Sequence, residues 1–283
     1  NSHDVDDIVK TIKLIEGSFG GINLEDISAP RCFEIEKKLK EVCEIPIFHD
    51  DQHGTAIVVG AALINALKLA KKKIEDVKIV VNGIGAAGVA ITKFLIFMGA
   101  KNLVLVDRVG ILHKDDQSLP KHHFEMAQLT NPHHQKGTLK DAMINADVFI
   151  GVSAKNIVSK DMVKSMKKDA VIFAMANPDA EISYEDAIDA GAFIVGTGSS
   201  RYPNQINNLI AFPGIFRGTL DAHAKYITEE MKLAAAYAIA HMIPDEKLSR
   251  ENIIINPLNK DVHKIVSSAV YQKAIESNVE KTH

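Results

Sequence analysis

Short apolar runs alternate with helical patterns through the middle of the chain. The runs are rich in Val, Ile and Phe, which is typical of strands in a parallel sheet covered on both faces. Between them, apolar residues recur at helical spacing. The alternation predicts a doubly wound α/β domain with flanking helices. The predicted strands are 78–82, 103–107, 147–151, 171–175 and 192–195, with helices near 86–98, 121–129, 138–145, 160–166 and 183–190.

Outside this region the pattern is mainly helical. The segment from Gly54 to Ala70 is apolar on nearly every helical face, so we expect a helix that is buried all round. Short extended segments are predicted at 22–26 and 45–48. Further helices are predicted over 4–14, between the two extended segments, and after Gly214, most clearly at 220–225 and 229–241.

Charge and hydropathy argue against two classes of partner. The 283 residues include 33 Lys and Arg and 36 Asp and Glu, which gives a formal net charge of -3. A chain with this charge balance is not expected to carry the basic surface that binds nucleic acid or an anionic membrane. The apolar run from Ala56 to Ile64 stops at Asn65, short of the roughly 20 residues that cross a bilayer. We therefore predict no nucleic-acid partner and no membrane partner.

The cysteines and histidines show no pattern of their own. Cys32 and Cys43 lack CxxC spacing, which favours a reducing cytoplasm with idle thiols. The histidine pairs at 122–123 and 133–134 lack a metal-ligand spacing, and we expect them in loops. The chain opens with Asn1 rather than Met and is helical from Asp4, so we expect it to begin inside a longer protein or after a trimmed tag.

A glycine-rich turn follows the first strand of the alternating region and opens the next helix. In GxGxxG spacing the first glycine permits a tight turn, the second admits a pyrophosphate, and the third allows close helix–strand packing. The helix N-terminus supplies N–H groups and partial positive charge for the phosphates. We expect a Rossmann-type dinucleotide site, whose residues are Gly83, Ile84, Gly85, Ala86, Ala87 and Gly88.

The end of the next strand bears on which dinucleotide binds. Asp107 lies 24 residues after Gly83, where a carboxylate accepts hydrogen bonds from the adenosine ribose. Its charge would repel a 2′-phosphate and so favours NAD, whereas the adjacent Arg108 keeps NADP possible. A glycine-rich turn in another kind of α/β domain is the alternative interpretation of both features.

Two acidic pairs end the short extended segments. If these segments are neighbours, three carboxylates among Glu25, Asp26, Asp50 and Asp51 could hold a hard divalent ion and leave positions for substrate and water. Such oxygen ligands suit Mg²⁺ or Mn²⁺. Adjacent acids before a helix also commonly cap it or face solvent, so the residues alone leave both interpretations open.

Four ordered motifs resemble malic enzymes, especially the shorter bacterial type. The similarity extends from about residue 5 to 265, and four motifs in compatible spacing are more specific than any one. The motifs are FGGINLEDISAP from Phe19, FHDDQHGTA from Phe48, ANP from Ala176 and YPNQINNLIAFPGIF from Tyr202. The resemblance implies that residues 1–52 are the remnant of an N-terminal substrate and metal domain. Residues 53–283 would form the Rossmann-type NAD(P)-binding domain with C-terminal helices.

The resemblance also implies metal ligands and a neighbouring acid. The ligands to Mg²⁺ or Mn²⁺ would be Glu25, Asp26 and Asp51. Asp50 would be hydrogen-bonded to the catalytic lysine of the family.

Other implied site residues are polar and uncharged. Thr55 would contact the cofactor, and Asn177 and Asn207 match asparagines that contact the substrate and the nicotinamide half of the cofactor. Capping or turn formation is the simpler role for such asparagines, and we expect it for Asn204 and Asn208.

The implied reaction is the metal-dependent oxidative decarboxylation of (S)-malate to pyruvate and CO₂ with reduction of NAD(P), in a cytoplasmic homodimer. The motifs that carry the family's lysine base and tyrosine acid precede this chain, so we expect the chain alone to bind without turnover. A malolactic-type enzyme and a non-catalytic dinucleotide-binding subunit are the alternatives. A generic dehydrogenase would leave the acidic pairs unexplained. Ser199 and Arg201 depart from the Gly-Arg-Ser-Asp expected there, which leaves substrate preference open.

Overall fold

Two short parallel strands and three helices precede the main sheet. The computed structural model describes residues 2–279, so residue 1 and residues 280–283, at the outer limits of the predicted domains, lie outside it. The first elements are α1 (Val5–Ile15), β1 (Ile22–Leu24), α2 (Arg31–Val42), β2 (Ile47–His49) and α3 (Asp50–Ala70). β1 and β2 pair in parallel with Leu24 opposite His49. The acidic residues that follow the two strands therefore lie side by side.

A six-stranded sheet forms the centre of the molecule. Its strands are β3 (Lys78–Asn82), β4 (Asn102–Asp107), β5 (Gly110–Ile111), β6 (Val148–Gly151), β7 (Val171–Ala174) and β8 (Ile194–Thr197). They lie in the order β5-β4-β3-β6-β7-β8, parallel except for the antiparallel edge strand β5. The chain changes direction across the sheet between β3 and β6, which is the position where such sheets bind ligands. The predicted doubly wound fold is confirmed.

Helices cover both faces of this sheet. Ile79 and Val81 of β3 pack in the larger apolar core, and Val80 between them packs in the smaller one. This division follows from the alternation of side chains along a strand. The remaining helices are α4 (Ala86–Phe97), α5 (Lys121–Leu129), α6 (Leu139–Met143), α7 (Lys160–Lys164), α8 (Tyr184–Asp189), α9 (Phe212–Asp221), α10 (Glu229–Ala240) and α11 (Val262–Glu276).

The apolar helix α3 runs through the larger core, as its composition predicts. Among the described residues it is the one helix long and apolar enough to cross a bilayer, but 72% of its most apolar window is buried inside the protein. The helix also begins at Asp50, four residues before the predicted start at Gly54. Consequently Asp50 and Asp51 belong to its first turn.

Two predictions about helices are wrong. The helix predicted at 220–225 ends at Asp221, and His223 has a left-handed φ of 49°. The helix instead begins at Phe212, and a Cβ on Gly214 would lie 2.6 Å from Val266 Cβ in α11. That glycine therefore serves close helix packing within α9. The histidine pair 122–123 lies in α5 rather than in a loop.

Candidate functional site

The glycine-rich turn joins the carboxyl end of β3 to the N-terminus of α4. Gly83 has a φ of +109°, which L side chains rarely adopt, and its N–H donates to Val106 O at 2.9 Å. A Cβ on Gly88 would lie 1.8 Å from Gly83 O, whereas a Cβ on Gly85 would meet no atom within 4 Å. The first and third glycines thus shape the turn, and the second borders open space at the helix N-terminus.

One cavity of about 530 Å³ brings seven of the fifteen predicted site residues together. It lies where β6, β7 and β8 end, beside the first turns of α3 and α4. The predicted residues lining it are Asp51, Thr55, Gly85, Ala86, Ala87, Asn177 and Asn207. Gly83, Ile84 and Gly88 are buried beneath the turn. Sequence reasoning missed Val152, Ser153, Met175 and Gly198, which also line the cavity. Each lies at the end of a predicted strand or within three residues after it, and that position was the available signal.

A second cavity, of about 290 Å³, adjoins the first on the β4 side and contains Asp107 and Arg108. Ser153 lines both cavities, so together they cross the point where the chain changes direction. Asn82 also lines the second cavity, and its buried Nδ2 has no hydrogen-bond partner among residues 2–279. His123 Nδ1 lies 3.6 Å from Asp107 Oδ2. Asn82 and His123 were not predicted as site residues. The paired cavities and the glycine turn suit an extended dinucleotide.

The two acidic pairs are neighbours, as the metal hypothesis requires. The backbone N–H of Asp26 donates to Asp51 Oδ2 at 3.0 Å, so Asp51 connects the segment after β1 to the start of α3. Glu25 and Asp26 are exposed. Within residues 2–279, however, no three acidic, histidine or cysteine side chains meet as a metal-binding group. The acids are brought together without forming a coordination sphere.

Asp50 concentrates negative charge at this point. Its side chain is 4% exposed, Oδ2 accepts a hydrogen bond from Asn208 Nδ2 at 2.6 Å, and Oδ1 has no partner among the described residues. Burial and the negative charges of Glu25 and Asp51 raise the pKa of Asp50 to about 7. Crowded carboxylates with an unpaired buried oxygen fit a hard divalent cation.

The structure separates the asparagines by role. Asn208 begins a 3-10 turn, in which its carbonyl accepts the Ala211 N–H at 2.9 Å, and its side chain also contacts Asp50 and lines the larger cavity. Asn204 is buried, and its side chain bonds to backbone groups of Val195, Arg250 and Ile253, so it joins separate segments of the chain rather than capping a helix. Asn207 lines the cavity and also accepts the Leu209 N–H at 2.9 Å.

A buried polar network holds the first turn of α3 from the other side. Gln52 Nε2 contacts His49 Nδ1 at 2.6 Å and donates to Glu36 Oε2 at 3.0 Å. His53 Nε2 contacts Glu36 Oε1 at 2.6 Å, and Lys232 Nζ lies 3.0 Å from His53 Nδ1. Although burial disfavours the charge, the contacts with His53 hold the pKa of Glu36 well below its usual range. The network ties α2 and α10 to the helix that carries Asp50 and Asp51.

Comparison with known proteins identifies the family. Residues 52–275 match the family model described as malic enzyme, NAD binding domain, and residues 1–40 match malic enzyme, N-terminal domain. The chain belongs to the malic enzyme family. The resemblance inferred from the four motifs is confirmed, as is the expected class of dinucleotide cofactor.

Two curated relatives and one crystal structure illustrate the match. The chain is 51% identical over 280 residues to the bifunctional malic/malolactic enzyme of Bacillus subtilis and 52% identical over 279 residues to the NAD-dependent malic enzyme of Geobacillus stearothermophilus. Each alignment covers 99% of this chain, but 68% and 58% of the respective relative. The NAD-dependent malic enzyme of Thermotoga maritima superposes with a TM-score of 0.91 at 50% identity, covering 96% of this chain and 71% of that one.

Proposed function

We propose that the protein containing this chain catalyses the metal-dependent oxidative decarboxylation of (S)-malate to pyruvate and CO₂ with reduction of NAD(P). The observation that carries this proposal is one cavity lined both by the N-terminus of α4 and by Asp51 of α3. A site for a dinucleotide alone would not explain the acidic first turn of α3. A site for both a dinucleotide and a divalent ion explains both the glycine-rich turn and the acidic turn.

The acidic side would hold the ion and the substrate. Glu25, Asp26 and Asp51 would bind Mg²⁺ or Mn²⁺, which when bound polarises the substrate C2 oxygen while NAD(P) accepts the hydride. Asp50, whose Oδ1 has no partner within residues 2–279, would hold and orient a cationic proton-carrying group beside the substrate. Asn208 fixes the other Asp50 oxygen.

The glycine side would orient the cofactor. The adenosine ribose would bind beside Asp107 and Arg108, the pyrophosphate at Gly85, and the nicotinamide near Asn177 and Asn207. The charge of Asp107 favours NAD. This arrangement would bring the hydride acceptor next to the acidic first turn of α3. We also propose the division at residue 52, which agrees with the limits of the two family models.

The cellular location and the oligomeric state are proposed from more general features. Both cysteines are free and buried, which suits a reducing cytoplasm. Exposed apolar side chains on and after α1, including Leu14 and Phe19, offer a surface for a homodimer.

Product analysis tests the proposal and its nearest alternative. The Bacillus relative, named bifunctional malic/malolactic enzyme, gives a specific reason to consider lactate as a second product. In the presence of Mn²⁺, a purified protein that includes this chain should convert malate and NAD to pyruvate, CO₂ and an equal amount of NADH. Lactate without net NADH would favour the malolactic reaction. Dinucleotide binding with no product from malate would favour a non-catalytic subunit.

A further inference from the structure

A fully buried carboxylate lies behind the wall of the larger cavity. Glu181 is 0% exposed. Its Oε1 accepts the backbone N–H of Ser153 at 2.9 Å, and its Oε2 accepts that of Ala176 at 3.1 Å. Ser153 follows β6, Ala176 follows β7, and both line the cavity. One side chain therefore joins the two strand-end turns on the nicotinamide side.

Backbone hydrogen bonds favour the charged form of Glu181. Each oxygen accepts a backbone N–H group, and such hydrogen bonds favour the carboxylate over the protonated carboxyl. Burial raises the pKa of Glu181, and the backbone N–H groups of Ser153 and Ala176 oppose that rise. Within residues 2–279, the main influences on this pKa are burial and backbone hydrogen bonds, with no cationic side chain among them. As a carboxylate, Glu181 is a buried negative charge that backbone N–H groups stabilise.

The position of this carboxyl is fixed by close packing. A Cβ on Gly151, the last residue of β6, would lie 2.4 Å from Glu181 Cδ. The main chain also holds the residue, because its carbonyl accepts the N–H of Val158 at 3.0 Å. The charge therefore has little freedom to move away from the cavity or to be screened by water.

We infer that Glu181 is a positioning residue of the nicotinamide half, where it fixes the two turns and makes the site favour the cationic oxidised nicotinamide over the neutral reduced one. The inference rests on the proposed dinucleotide binding. A fixed negative charge in a low-dielectric surrounding attracts the positively charged nicotinamide of NAD⁺. The nicotinamide of NADH is neutral, so the same charge attracts it much less. Removing the charge should weaken binding of NAD⁺ more than binding of NADH.

The test compares dissociation constants of NAD⁺ and NADH, measured by calorimetry on the 283-residue chain. Glu181→Gln should raise the ratio of the NAD⁺ constant to the NADH constant roughly tenfold. Glu181→Asp keeps the charge, so its ratio should stay within about threefold of wild type. If Glu181 had only a structural role, both substitutions would change the ratio of the two dissociation constants to a similar extent. If Glu181→Gln unfolds, the titrations are repeated in trimethylamine N-oxide, which strengthens burial.

Asp147 provides a matched control. It is buried, precedes the opposite end of β6, and accepts the Lys78 backbone N–H at 2.9 Å. Asp147→Asn should lower stability and leave the ratio unchanged. A folded Glu181→Gln variant with an unchanged ratio overturns the inference while leaving dinucleotide binding intact. A wild-type chain that binds neither dinucleotide overturns the proposed function and the inference with it.

Discussion

The two sides of the larger cavity are built by different means. The glycine side is defined by backbone shape, with Gly83 in a left-handed conformation and Gly88 against its carbonyl. The acidic side is defined by charged side chains, and these are neighbours that do not converge. Backbone sterics act whether or not a ligand is bound, whereas like charges separate until a cation balances them. We therefore expect the glycine side to be preformed and the acidic side to assemble with its ion.

The largest expected effect comes from breaking the glycine side. Gly88→Ala places a methyl group 1.8 Å from the Gly83 carbonyl, where neither backbone segment can yield cheaply. We expect a loss of stability of about 3 kcal/mol, at the upper end for overpacking, together with loss of NAD binding. Urea denaturation and calorimetric titration measure the two effects.

Gly85→Ala is the matched control for that change. Its methyl group meets no atom within 4 Å, so stability should be nearly unchanged. NAD affinity should still fall, because the methyl group enters the space proposed for the pyrophosphate. Unchanged NAD affinity in a stable Gly85→Ala variant would contradict the proposed cofactor position.

The next effect concerns the acidic side alone. Asp51→Asn should weaken Mn²⁺ binding by more than about a hundredfold, because even partners outside the coordination sphere change metal affinity by about 10–100-fold. Titration of Mn²⁺ followed by electron paramagnetic resonance measures this. NAD affinity without metal should change by less than about threefold, since the glycine side does not depend on the ion. Asp76→Asn, on an exposed turn, is the control and should change neither.

A smaller effect should come from the network behind α3. Glu36→Gln weakens the contacts with Gln52 and His53, and we expect a loss of about 1–3 kcal/mol near neutral pH. Because the folded pKa of Glu36 is depressed, its contribution is present above the unfolded pKa and is lost as pH falls through the acidic range. Urea denaturation across that range should show a shallower acid-side loss in the variant. Equal pH slopes for variant and wild type would show that Glu36 is not held as a charged group.

The smallest effect concerns cofactor choice. Asp107→Ala removes the charge that repels a 2′-phosphate and should reduce the preference for NAD over NADP by about tenfold. Parallel titrations of the two dinucleotides measure that ratio. If the Asp107→Ala variant kept its full preference for NAD, other residues, such as His123 beside Asp107, would discriminate between the two dinucleotides.

The sequence predicted the parts of the fold that depend on local pattern. The five parallel strands of the main sheet appear within about two residues of their predicted limits, and the strand–turn–helix at Gly83 has the expected form. The helix at Phe212 was missed because Gly214 reads as a helix breaker, whereas here it admits α11. Strand β5 was missed because its two residues are too few to show a periodic pattern.

The site was predicted less completely, for a physical reason. The motifs contain residues such as Asp51, Asn177 and Asn208, but they do not show which side chains contact one another. Asn208 reaches Asp50 across 158 positions in the chain, and Glu181 reaches Ser153 across 28. Such contacts depend on tertiary packing, which no local pattern contains.

Calorimetric titration of NAD into the wild-type chain, first without and then with Mn²⁺ and malate, tests the central claim most directly. We predict that NAD binds without metal, because the glycine side is preformed, and that Mn²⁺ with malate tightens this binding. If NAD bound only after Mn²⁺ was added, the two sides would form together and the contrast between them would be wrong. If NAD failed to bind under any of these conditions, the dinucleotide site itself would be contradicted.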